Sequence, residues 1–140
     1  MTPSQLRELV GQTYEQVKVA CLSHRYTFDF NGVPHSVDDV TYYQIGANEL
    51  GHAVVVDPRC CHIYLLDSEK LYFINSSFAQ MLEAFVSLEQ WPISPHISDR
   101  LRAAKFCEGL QNLDPKCLEE PVEECGFWAG IIQDMELGFK

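Results

Sequence analysis

Apolar positions recur at helical spacing from the start of the chain. In PSQLRELVGQTYEQV, Leu6, Leu9 and Val10 share one side, and Tyr14 and Val17 continue the stripe. This predicts an amphipathic N-terminal helix with Ser4 as its cap. The period then changes. RYTFDF, Arg25 to Phe30, alternates aromatic with polar side chains and runs into NGVP, an Asn-Gly turn followed by proline, which reads as a half-buried strand and its exit.

Four short runs follow, TYYQIG (41–46), HAVVVD (52–57), CHIYLLD (61–67) and KLYFIN (70–75), each rich in β-branched or aromatic residues. The turn formers ANELG, DPR and DSE separate them. Connections this short suit antiparallel hairpins and are too short for a parallel crossover, so the segment is expected to form a β-meander.

Helical spacing returns at Phe78, Met81, Leu82 and Phe85, a face able to cover one side of the sheet. WPISPHIS interrupts the chain with two prolines. SDRLRAAKFCEGL then predicts a helix capped by Ser98 and ending near Gly109. A last helix is expected to start near Pro121, with Val122, Phe127, Trp128, Ile131, Ile132 and Met135 as its apolar side. No repeat, low-complexity tract or linker divides the sequence, so residues 1–140 read as one α+β domain, an antiparallel meander flanked by N-terminal and C-terminal helices.

Composition changes the picture through charge. Twenty acidic against 10 basic residues give a net charge of −10, which disfavours direct contact with nucleic acid and favours a basic protein partner. No export signal opens the chain and no apolar run reaches the roughly 18 residues of a membrane span, so a cytoplasmic protein with reduced thiols is expected.

Candidate chemistry is sparse. Ser76 and Ser77 stand between a strand and a helix, where one hydrolase family places its nucleophile, yet the flanking glycines of that motif are missing. Ser77 followed by Gln80 matches a capping box instead. Cys21 with His24 and the CCH run at 60–62 raise a zinc or thiol reading, but their spacing departs from paired zinc ligands and buried thiols also serve as core fillers. The five histidines are scattered. The Gly46 to Gly51 stretch lacks the ending of a phosphate loop and reads as a hairpin turn. Acid pairs occur at Asp38-Asp39, Glu119-Glu120 and Glu123-Glu124, where adjacency alone gives no convergent site. No cofactor or metal is expected.

The run from Tyr43 to Phe85, about a third of the chain, carries Ile45-Gly46, a strand ending at Asp57, the apolar run Ile63 to Leu66, and FINSS leading into a helix with Gln80 to Phe85. In these features it resembles the SUKH superfamily of bacterial immunity proteins, whose founding relatives include yeast regulators of cell-wall synthesis. NGVP, Leu113-Asp114-Pro115 and Trp128 extend the resemblance loosely to both ends. Two departures from the pattern are the short distance from Val33-Pro34 to Tyr43 and Pro58-Arg59-Cys60 where a glycine turn is usual.

The resemblance implies a helix-flanked antiparallel sheet and a protein that binds and neutralises a cognate polymorphic toxin, a nuclease or deaminase, without being an enzyme. The expected contact surface combines the acids Asp38, Asp39, Glu49, Asp57, Asp67 and Glu69 with the aromatic anchors Tyr42, Tyr72 and Trp91. A regulatory interaction module of the same fold and a zinc- or thiol-dependent enzyme are the alternatives.

Overall fold

A computed structural model describes residues 1–22, 24–119 and 126–138. The order of elements is α1 (Pro3–Val10), β1 (Val17–Cys21), β2 (His24–Phe28), β3 (Pro34–Val37), β4 (Val40–Asn48), β5 (Ala53–Val56), β6 (Ile63–Asp67), β7 (Lys70–Asn75), α2 (Phe78–Glu89), α3 (Asp99–Leu113), a 3-10 turn (Pro115–Leu118) and α4 (Phe127–Glu136). The strands form one antiparallel sheet in the order β1-β2-β4-β5-β6-β7, and β3 pairs with the first half of β4. The fold is α+β, as expected, and among the described residues no helix is long and apolar enough to cross a membrane.

The first helix is shorter than its apolar stripe suggests. Gly11 adopts a left-handed conformation (φ 74°) that ends α1 after Val10. Tyr14 is 71% exposed, and Val17 opens β1 rather than closing a helix. The cap is Thr2, whose hydroxyl accepts from the Gln5 N–H while the Gln5 side chain accepts from the Thr2 N–H, in place of the expected Ser4.

The predicted meander is present as β4 to β7, with β1 and β3 added. Two of its hairpins turn through paired left-handed residues, Asp38 (φ 50°) with Asp39 (φ 65°) and Ser68 (φ 49°) with Glu69 (φ 69°). Such turns match the twist of the strands they join. Gly46 is not a turn residue. It lies inside β4 beside a register shift, and a Cβ there would stand 2.5 Å from both Phe28 Cδ1 and the Thr27 carbonyl. The Ile45-Gly46 pair is therefore a packing device, burying Ile45 while letting β2 and Phe28 approach.

Helices α2 and α4 pack on one face of the sheet, and α3 packs against both of them. Phe78, Met81, Ala84, Phe85 and Leu88 of α2 are buried there, and Trp128 of α4 meets Phe85 and Phe106 at centroid distances of 5.2 and 5.6 Å. Ser98 caps α3 as predicted, and the helix runs past Gly109, which faces Ser87 of α2, to end at Leu113. The predicted start of the last helix, with Pro121 and Val122, lies outside the described residues; so do Cys125 and the acids Glu120, Glu123 and Glu124.

A buried polar knot joins the sheet to these helices. The Asp114 carboxylate accepts from the Asn75 amide (2.9 Å), the Ser76 backbone N–H (2.8 Å) and the Ser76 hydroxyl (2.9 Å). Asn75 in turn accepts from the Trp128 indole at 2.8 Å. Ser76 is thus a donor to a structural carboxylate. Ser77 caps α2, accepting from the Gln80 N–H, but the Gln80 amide donates to the Leu113 carbonyl and its oxygen accepts from the Ser77 hydroxyl. Half of the expected capping box is made, and the glutamine links α2 to the end of α3.

Candidate functional site

Side chains alternate across a strand, so the meander has a second face pointing away from the helices. There Tyr42, Ala53 and Val55 form a small buried cluster, with Val37, Val40, Tyr64, Leu66 and Leu71 packed around it and half-buried. Cross-strand pairing explains the grouping: Val55 lies opposite Tyr64, Ala53 opposite Leu66, and Leu66 opposite Leu71. Tyr42 meets Tyr64 edge-on at 5.8 Å, Tyr64 meets Phe73 at 5.6 Å, and Phe73 meets His62 at 5.4 Å. These contacts run as a continuous aromatic row from the outer cluster to Phe73, which also packs against the helix-side core. Burial, followed by the nearby Asp57 charge for Tyr42 and by Cys60 for Tyr64, pushes both phenols above their ordinary range.

The six expected acids do not gather on one patch. Register places Asp38, Asp39 and Asp57 at one end of the sheet and Glu49, Asp67 and Glu69 at the other. The nine residues of β4 separate those ends by roughly 25 Å. Asp38, Asp39, Glu49 and Glu69 are exposed. Asp57 is only 3% exposed, and its carboxylate holds Arg59 in a two-point contact, Nε to Oδ1 at 3.0 Å and Nη2 to Oδ2 at 2.8 Å. The Arg59 hydrogen bond, opposed in part by burial, holds the Asp57 carboxyl below its usual range. Asp57 therefore closes the β5–β6 turn instead of presenting free charge. Asp67 and Glu49 face His52 (3.5 Å) and His24 (3.2 Å) at the opposite end.

The three expected aromatic anchors occupy different surfaces. Tyr42 is the floor of the outer cluster, 8% exposed, and Tyr64 stands more open beside it. Tyr72 lies opposite Leu65 and packs toward the helix-covered face, under Lys70 at 5.6 Å. Trp91 follows α2 and lines a separate cleft of about 370 Å3 with Ala20, Leu22, Leu88, Ile93 and Arg102. Sequence reading missed Tyr64, Phe73 and Arg102. The first two were accessible to period-2 counting along β6 and β7, whereas Arg102 looks like an ordinary helix-surface residue until α3 is packed.

Cys21 and His24 face each other across the β1–β2 turn, but their side chains have different surroundings. Cys21 is buried and its thiol is pushed up to about 12 by burial and then by Asp134, while His24 turns to Glu49. Cys60 and Cys61 belong to the turn before β6 rather than to the strand, and Cys61 has φ 65°. Among the described residues, no group of three or more His, Cys, Asp or Glu side chains is placed to hold a metal ion. No protein-family model matches the chain, and neither curated proteins nor solved structures give a significant match to it.

Proposed function

We propose that this chain is a non-enzymatic immunity protein of the bacterial cytoplasm, one that binds a cognate toxin and blocks its active site. The observation that carries the reading is the outer face of the meander. It presents an aromatic and aliphatic centre, Tyr64, Leu66 and Leu71 around Tyr42, with exposed carboxylates at both ends of the same sheet. An apolar centre within a charged rim is the usual anatomy of a protein-binding surface. A net charge of −10 adds long-range attraction for a basic nuclease or deaminase. The SUKH-like run from Tyr43 to Phe85 supplies most of β4 and all of β5 to β7, which build much of that face beside Tyr42, and so supports the same reading.

Asp38 and Asp39 at one end and Glu69 at the other are the steering charges, and Tyr64 is the anchor. Asp57 and Tyr42 support them from below. The test is a titration of the protein into the toxin encoded by the neighbouring reading frame. Toxin activity is expected to fall linearly to zero at one equivalent. Full activity in the presence of excess protein would remove the proposal.

A further inference from the structure

The cleft beside Trp91 has a feature that the protein-binding reading does not use. Its walls are mostly apolar, from Ala20 of β1, Leu22 of the turn that follows, Leu88 of α2, and Trp91 and Ile93 of the link to α3. One cationic side chain, Arg102, completes the lining, and it is only 2% exposed. A guanidinium withdrawn from water to that extent normally has its donors filled. Here Nη1 donates to the Trp91 carbonyl at 3.0 Å, Nη2 reaches Asp99 only at 3.5 Å, and Nε has no partner.

The under-used donors Nε and Nη2 share one edge of the guanidinium, the edge a carboxylate takes with two parallel hydrogen bonds. The same molecule shows that edge filled: Arg59 gives Nε and Nη2 to the two oxygens of Asp57 at 3.0 and 2.8 Å. Asp99 makes no such pair with Arg102, and its side chain is 44% exposed.

We infer that this cleft is a binding site for a small monocarboxylate with an apolar or aromatic body. Nε is closed to solvent in the free protein. The carboxylate therefore reaches the Nε and Nη2 edge of Arg102 by displacing the loose Asp99 contact and drawing the guanidinium toward the cleft, and the body lies against Trp91, Leu88 and Ile93. A volume of about 370 Å3 falls in the range of small-ligand pockets, which are mainly apolar with a few placed polar groups. Glu89, exposed and also on the lining, sets a further limit. Its charge opposes a second carboxylate on the ligand and favours entry with the single acid group foremost, toward the buried arginine.

Indole-3-propionate is a suitable probe, read by NMR at the Arg102 Nε–H and Trp91 indole resonances of the full chain. Saturable shifts at both are expected, with indole-3-propionamide at least tenfold weaker. Ile93→Asp, at an exposed position that tests the cleft without disturbing the core, is expected to weaken the acid at least tenfold. Asp99→Asn is expected to keep or raise its affinity. Equal shifts with acid and amide, no shifts at millimolar acid, or binding unaffected by Ile93→Asp would overturn the inference. A peptide ending in a free carboxyl-terminal leucine is the comparison ligand, and binding by that peptide without binding by the free acid would overturn it as well.

Discussion

Asp114 and Ser76 are bound through two hydrogen bonds, the Ser76 N–H at 2.8 Å and its hydroxyl at 2.9 Å, across 38 residues of sequence. Because Asp114 also accepts from Asn75, which accepts from Trp128, one carboxylate fixes the end of β7, the start of α2 and the position of α4. Asp114 is 3% exposed, so its partners have little access to water in its absence. Asp114→Ala should lower stability by about 3 kcal/mol by leaving buried donors unfilled, and Ser76→Ala by about 1 kcal/mol. Urea unfolding of the two variants checks the ordering.

The neighbouring serine has a smaller task. Ser77 fills one open N–H at the start of α2. Ser77→Ala should cost about 1 kcal/mol of stability and leave partner affinity nearly unchanged, since the residue lies on the helix side of the sheet. Thermal unfolding and a binding titration on the same sample separate the two effects.

Gly46 gives a sharper steric prediction. A methyl group there would stand 2.5 Å from the Phe28 ring and from the Thr27 carbonyl, one of them backbone and unable to swing aside. Gly46→Ala should destabilise by about 2–3 kcal/mol, and Gly51→Ala, in open space but at φ 85°, by about 1 kcal/mol from backbone strain alone. Paired denaturant midpoints test the contrast.

Alkaline pH should weaken the fold. Burial pushes the Cys21 and Cys117 thiols from 9.0 to about 12 and the Tyr26 phenol from 10.0 to about 12. Each folded-state value lies above its unfolded one, so the unfolded chain loses these protons first. The stabilisation is complete below about pH 9 and is lost progressively between pH 9 and pH 12. Melting temperatures across that window should fall steadily. At pH 8, iodoacetamide should label exposed Cys60 while Cys21 and Cys117 stay protected until unfolding.

The meander was legible because β4 to β7 are short, β-rich and separated by turn formers, and local chemistry there agrees with the final fold. β1 was hidden because Val17 continues the spacing of Leu6, Val10 and Tyr14, and only the left-handed Gly11 shows where the helix stops. β3 begins at Pro34, inside an NGVP stretch whose turn residues read as a strand exit. The candidate site was legible in its residue types but not in its arrangement. Acids at successive hairpin ends alternate between opposite ends of an antiparallel sheet, and the neutralisation of Asp57 by Arg59 depends on the turn they share. Arg102 and the Asp114 knot join elements far apart in sequence, which periodicity does not reach.

Proposed toxin binding through an acid-rimmed aromatic face makes association the decisive quantity. Stopped-flow mixing with the neighbouring toxin at about 50 and about 500 mM salt should give a rate constant that falls at least tenfold, as expected for steered encounter. Tyr64→Ala should then raise the dissociation constant about thirtyfold, mainly through faster dissociation, as loss of a central aromatic anchor does. A salt-independent association rate, or an affinity untouched by Tyr64→Ala, would contradict the assignment of this face.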